Sequence, residues 1–428
     1  MTTTPFFNRQ ALHLMPDPSR VVVRPFRPAV EPRDFNTVDK TRANHIVERV
    51  LALDASEVKA LLAATLDNFD GRHRNLLTKF ERRAEEMEDA FCSHDSFTPM
   101  QRQLVGAYFM HEYSFEAAAL FNPSIIMHPD QSGVPEGCGR FVMSLRAVGE
   151  GHVSSLTFRS GMVAADGTVS IDSPARLASV PEVTARTGDH LELAFDQTGD
   201  ITERVIFPVT EMQANGIEDA RFVAFSDQGK TTYYATYTAY SGREIRSELL
   251  ETQDFVSFRM TPLTGPAARN KGMALFPRKI DGQYAMIARH DNENLHLIMS
   301  DNVHDWGLGK AVLKPKYPWE FVQIGNCGSP IELDEGWLLF THGVGPVRRY
   351  AIGAVLLDKD DPSRVIARSK VPLIQPDQSE REGYVPNVVY TCGGMKLGDR
   401  IVLPYAISDT FSTVATVRIS ALLSLLVE

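Results

Sequence analysis

One short pattern returns five times along the chain: an opening strand, a tight polar turn, then an aromatic-rich strand ending in a polar residue. The copies begin at Asn122-Pro123-Ser124, Glu218-Asp219-Ala220, Leu275-Phe276-Pro277, Gly328-Ser329-Pro330 and Pro386-Asn387-Val388. Their turns are His128–Gly133, Ser226–Gly229, Asp281–Gly282, Asp334–Gly336 and Leu397–Asp399. From the second copy onward the spacing is roughly fifty to sixty residues, the period of a propeller blade. The pattern predicts an all-β fold, a five-bladed β-propeller in which equivalent strands lie side by side around one axis. Arg146, Asp219, Arg289, His342 and Tyr405, distant in sequence, would then converge on one central pocket.

The first 120 residues read differently and are expected to form an extended arm followed by a helical extension, with the propeller over 121–428. Residues 1–35 are rich in proline and arginine and are expected to run extended over the surface. The period then becomes helical: Ile46, Val47, Val50 and Leu51 mark one face, and Val58, Leu61, Leu62 and Leu66 another. Asp54 with Glu57 three residues on resembles a capping box. Leu76, Leu77, Phe80, Met87 and Phe91 continue the pattern, and a further helix is expected over Pro99–His111. This segment either caps the propeller or serves as an oligomerisation arm at the pocket rim, and a homo-oligomer is the expected state. Val365–Ala367 and Ala415–Val417 are expected as outer blade strands, and Ala421–Leu426 as a last strand closing the ring against the first blade.

With 428 residues, 43% of them hydrophobic, the chain can bury one large core and a smaller accessory one. A formal charge of -10 disfavours nucleic acid or an anionic membrane as partner. No run approaches the roughly twenty apolar residues of a membrane helix. Met1–Asn8 lacks the pattern of a secretory signal, so a cytoplasmic location is expected. Cys92, Cys138, Cys327 and Cys392 show no metal-binding spacing; reduced thiols, no metal and no redox cofactor are expected.

Glu218 and Asp219 open an inner strand beside Arg221. Strict alternation would send the two carboxylates to opposite faces, leaving one toward the axis, where it suits general acid work on a glycosidic oxygen. A carboxylate that caps backbone N–H groups or pairs with Arg221 is the plainer alternative. Arg146, Arg289, His290 and His342 end inner strands, Lys271 precedes the third blade, and Arg243 and Arg246 follow the second. Such a set suits an anionic ligand, phosphate above all. Glu244, Glu248, Asp291 and Glu293 add carboxylates that would activate water, bind sugar hydroxyls or simply face solvent. Tyr237, Tyr240, Trp319, Tyr384 and Tyr405 would stack on sugar or fill the core.

Five strings, taken together, resemble glycoside hydrolase family 130: Asn215–Arg221, Tyr237–Tyr240, Asn270–Pro277, Thr341–Val344 and Glu382–Val389. The resemblance spans about Phe121 to Ile419. It implies a five-bladed propeller acting on β-mannosides, most members being inverting phosphorylases and a minority hydrolases. It implies Asp219 as general acid, acting through a sugar hydroxyl. Phosphate would be held by Arg146, Lys271, Arg289 and His342, with Arg246 a further candidate, and attack would give α-mannose 1-phosphate. Inorganic phosphate and an oligosaccharide are the implied substrates. Asn122, Tyr240, Asp291, Glu293 and Tyr384 are the candidate sugar-binding residues. Hydrolysis with a glutamate base, and a non-catalytic sugar-binding propeller, stay open as alternatives.

Overall fold

The computed structural model describes residues 6–26, 28–29, 41–88 and 97–428, which divide into two compact units. One comprises residues 19–114 with 176–179; the other holds the remaining described residues. Phe91 and Cys92 lie outside the described residues.

In the smaller unit, helices α1 (Arg42–Leu51), α2 (Ala55–Asn68), α3 (Leu76–Glu86) and α4 (Pro99–Tyr108) follow the apolar periodicity. The Asp54–Glu57 capping box is present at α2, and Thr98 with Gln101 forms a second at α4, behind which Pro99 starts the helix without needing an N–H. Val47, Val50, Val58, Ala84, Leu104, Val105 and Phe109 make the core, while Leu61 and Leu77 stay exposed. At Gly106 a Cβ would come within 1.8 Å of the Phe80 carbonyl oxygen, so only glycine lets α3 and α4 approach this closely. Within the N-terminal arm, strand Val21–Pro25 pairs with Met110–Ser114 and buries Val22 and Val23 rather than lying on the surface.

The larger unit is mostly β, built from five antiparallel meanders over residues 119–163, 216–262, 274–313, 323–369 and 389–418. Every predicted turn joins two paired strands. The fourth copy opens earlier than its sequence pattern suggests, on strand Gln323–Asn326. Alternate side chains of each meander pack in opposite directions, because successive strand residues face opposite ways. Phe222 and Tyr237 thus join Val142 and Phe158 of the first meander, whereas Val223 and Phe225 join Leu275 and Met286 of the third. Phe276 and Ile287 of the third meet Trp337 and Leu339 of the fourth; Phe340 and Ile352 of the fourth meet Val389 and Leu403 of the fifth. Ala406 of the fifth packs with Ala119, Phe121 and Val148 of the first, and the Cys392 N–H donates to the Pro123 carbonyl at 2.8 Å.

The C-terminus departs from expectation. Ile419–Leu423 is a short helix, and the strand that follows, Leu426–Val427, pairs with Val365–Ser369 of the fourth meander rather than with the first. Four large apolar residues in six favour a helical turn that sends Leu422 into the core shared by the fourth and fifth meanders. Val365–Ser369 therefore has a strand beyond it. Ala415–Val417 likewise is not outermost, since Asn8–Arg9 pairs with Phe411–Arg418 on its outer side.

Candidate active site

The opening strands of the first and second meanders each carry a residue in the left-handed region, Asn122 (φ 49°) and Asp219 (φ 54°), and Asn387 (φ 61°) adopts it in the turn just before the fifth. Asn and Asp are the non-glycine residues that tolerate it most readily. In the first two meanders the residue starts a register shift, between Phe121 and Ser124 and between Glu218 and Arg221. A bulge of this kind re-aims side chains. Strict alternation across Glu218 and Asp219 is thereby overturned: both carboxylates reach the same guanidinium. Arg146 Nη2 donates to Glu218 Oε1 at 2.7 Å and Nη1 to Asp219 Oδ1 at 3.3 Å.

Asp219 is held from several sides. Asn122 Nδ2 donates to its Oδ1 at 2.7 Å, and Arg221 Nη1 donates to its backbone carbonyl at 3.2 Å. Lys271 Nζ lies 3.8 Å from Glu218 Oε2. Burial alone would push the Asp219 carboxyl up. Arg146, Arg221, Lys271 and the Asn122 hydrogen bond outweigh it, so the carboxyl lies below the ordinary aspartate range. Arg146 also sits 5.1 Å over the Phe121 ring, and Tyr384 approaches Phe121 at 6.5 Å while its hydroxyl bonds His152 Nδ1 at 2.6 Å.

A second group is rich in cations. Arg289 is 7% exposed, its Nε has no partner, and it makes no ion pair among the described residues. Asn326 is fully buried with both amide atoms unpartnered. The loop through Lys271 crosses this pair, since a Cβ at Gly272 would stand 3.6 Å from Asn326 Oδ1 and 3.7 Å from Arg289 Nε. His342 lies between Tyr350, at 5.7 Å and nearly parallel, and Tyr390, at 4.9 Å. Burial, then the charges of Arg289 and Arg221, hold its imidazole well below the usual histidine range, so it is neutral. Gly325 admits the ring: a Cβ there would meet His342 Cε1 at 2.2 Å. Tyr390 accepts a hydrogen bond from Arg221 Nη2 at 2.9 Å, and Asp219 acts electrostatically on both Tyr390 and His342. The acid and the cations therefore occupy one neighbourhood.

The remaining candidates are held elsewhere. Arg246 is engaged by Glu248 and by Asp189 at 2.7 Å. Glu248, 2% exposed, also accepts from Gln213 at 2.8 Å and from the Tyr237 hydroxyl. Asp291 binds its own turn through Glu293 N and Asn294, which with burial opposing brings its carboxyl to about 2. Glu244, Glu293 and Arg243 are exposed, and the Tyr240 hydroxyl donates to the Gly242 carbonyl. Trp319 lies on the glycine floor of Gly343 and Gly353, where a Cβ would come within 2.4 and 2.5 Å of its ring. Tyr405 does not join the site; it is fully buried, with Arg9 5.6 Å over its ring, because it sits on the core-facing side of its strand. Burial pushes the thiols of Cys327, to about 12, and Cys392 upward, so neither is a nucleophile.

Four residues of the site escaped the sequence reading: Phe121, Arg221 as a cation of the pocket, Asn326 and Asp409. Burial first, then Asp219 and Glu218, push the Asp409 carboxyl up to about 7, against Arg146 and Arg348. Its only sequence signal is a Ser408-Asp409 turn after an apolar strand.

A family profile described as beta-1,4-mannooligosaccharide phosphorylase matches residues 197–428, more than half of the chain. The chain belongs to glycoside hydrolase family 130. It is 36% identical over 211 residues to a 1,2-beta-oligomannan phosphorylase of Thermoanaerobacter sp. (strain X514), covering 48% of this chain and 69% of that one. A beta-1,2-mannobiose phosphorylase of the same organism is 33% identical over 249 residues, covering 56% of this chain and 80% of the relative. The crystal structure of a beta-1,2-mannobiose phosphorylase from Listeria innocua, in complex with beta-1,2-mannobiose, superposes with a TM-score of 0.53 at 21% identity. It covers 72% of this chain and 92% of that one.

Proposed function

We propose that this protein is an inverting phosphorylase of β-mannosides that releases α-mannose 1-phosphate. The observation that carries this reading is Arg289, a buried guanidinium with no ion pair among the described residues, beside neutral His342, the unpartnered amide of Asn326 and Lys271. A buried cation is costly without a counter-charge, and phosphate supplies one. Asp219, held by Arg146 and Asn122, serves as the acid. An oxygen of phosphate forms a bond to the anomeric carbon as the glycosidic bond breaks, and the leaving oxygen takes its proton from Asp219 through a sugar hydroxyl. Phosphate would also offset the cations that depress the Asp219 carboxyl, so its arrival favours the protonated acid. On this reading Arg146 orients Asp219 rather than binding phosphate, and Asn122 fixes one carboxylate oxygen.

Hydrolysis has less support. Glu248 is buried and committed to Arg246, Gln213 and Tyr237, and Glu244 and Glu293 are exposed side chains with no tie to Asp219. The sheet-to-sheet cores that link each meander to the next, and the fifth to the first, support closure into a five-bladed propeller spanning 121–428. Phosphate-dependent release of α-mannose 1-phosphate from β-1,2- or β-1,4-mannobiose, followed by NMR, is the expected outcome. Release of free α-mannose at the same rate without phosphate would move the protein to the hydrolases.

A further inference from the structure

Beside the Tyr350 ring, which stacks with His342, stands a loop that the chemistry above does not use. Val347 and Arg348, in the loop from Gly345 to Arg349, both adopt left-handed backbone, at φ 57° and 54°. For a β-branched residue that is an outlier, and Val347 is 92% exposed, so no burial compensates it. The Arg348 guanidinium is exposed, lies 5.8 Å over the Tyr350 ring and has no hydrogen bond or ion pair among the described residues. Its charge nonetheless reaches Asp409, which also feels Asp219 and Arg146.

A second loop runs alongside. The Val322 N–H donates to the Val344 carbonyl at 3.0 Å, and a Cβ at Gly345 would meet the Trp319 backbone at 3.3 Å. This loop is anchored by Glu320, fully buried and bidentate to Arg368 at 2.7 Å, and it presents Phe321 64% exposed. An exposed aromatic ring on a rigid base, in a loop alongside the one that carries an unpaired guanidinium, matches what a pyranose offers, an apolar C–H face and a ring of hydroxyls.

We propose that Phe321, Val347 and Arg348 form the acceptor-side sugar subsite, with Phe321 stacking on the sugar and Arg348 donating to its hydroxyls. The assignment rests on the phosphorylase reading. It separates this rim from the phosphate pocket, whose cations are supplied by Arg289 and Lys271.

The test is the synthetic direction, with α-mannose 1-phosphate as donor and mannose or β-mannobiose as acceptor. Arg348→Ala should raise the acceptor KM about tenfold or more, as loss of a charged hydrogen bond does, and leave the KM for α-mannose 1-phosphate unchanged. Phe321→Ala should move the acceptor KM the same way, and Arg348→Lys should recover part of the loss. A rise in the KM for α-mannose 1-phosphate instead, or no change in either, overturns the subsite. If the wild-type protein neither makes nor consumes α-mannose 1-phosphate, the phosphorylase reading fails by itself. Calorimetric binding of β-mannotriose then decides the subsite: weaker binding to Arg348→Ala supports it, and equal binding overturns it.

Discussion

Arg159 and Arg368 are as deeply buried as Arg289, yet the three sites differ in what faces them. Arg159 Nη2 contacts both oxygens of Glu116, at 2.9 and 3.0 Å, and Arg368 meets Glu320 at 2.7 Å; both carboxylates are fully buried. Arg289 faces the neutral His342 and an unsatisfied amide. The difference teaches that burial of a cation does not mark function; burial without a counter-charge does. Arg246 makes the same point, since its sequence context resembled that of the phosphate-binding candidates, yet Glu248 and Asp189 already neutralise it.

The largest expected effect falls on the proposed acid, Asp219. Asp219→Asn keeps the Arg146 and Asn122 geometry but removes the proton, and kcat should drop by about two to four orders of magnitude. A variant retaining near-normal phosphorolysis would show that the acid lies elsewhere. Next, Arg368→Met should cost about 3–5 kcal/mol of stability by stranding Glu320, whereas Arg289→Met should abolish phosphorolysis without lowering the urea midpoint. Equal destabilisation in both would make Arg289 structural and dissolve the comparison. Inorganic phosphate at a hundred times its dissociation constant should then stabilise the wild type by about 2.7 kcal/mol in thermal unfolding. Arg368→Met should keep that shift and Arg289→Met should lose it; a shift retained in Arg289→Met places the anion elsewhere.

A further effect concerns Asp409. Its folded carboxyl near 7 lies above the unfolded value of 3.8, so the native state holds a proton that the unfolded chain releases. Stability from this group is present below the unfolded value and is lost as pH rises through about 7. Urea midpoints of the wild type, relative to Asp409→Asn, should therefore fall between pH 4 and pH 7. Parallel profiles would show that Asp409 titrates normally.

The five hairpins were legible because turn residues and strand periodicity are local properties, and the α2 capping box was readable for the same reason. The site was legible in part. Asp219, Arg146, Arg289 and His342 stood at strand ends that repeat equivalence places side by side, with Lys271 just before the third blade. Tyr405 stood at such an end too, but its face of the strand belongs to the core. Asp291 and Tyr240 satisfy their own turns, a choice that depends on backbone geometry that strand periodicity does not reveal.

What the sequence determined by itself is the repeat, the strand–turn–strand units and the residue types able to bind an anion and deliver a proton, since all follow from short-range spacing. Tertiary structure decided the rest. The bulge at Asp219 turned both carboxylates toward Arg146, Gly325 made room for His342, and Glu248 rather than phosphate claimed Arg246. Each outcome depends on which distant group occupies the space opposite a side chain, and that is fixed only when the meanders pack.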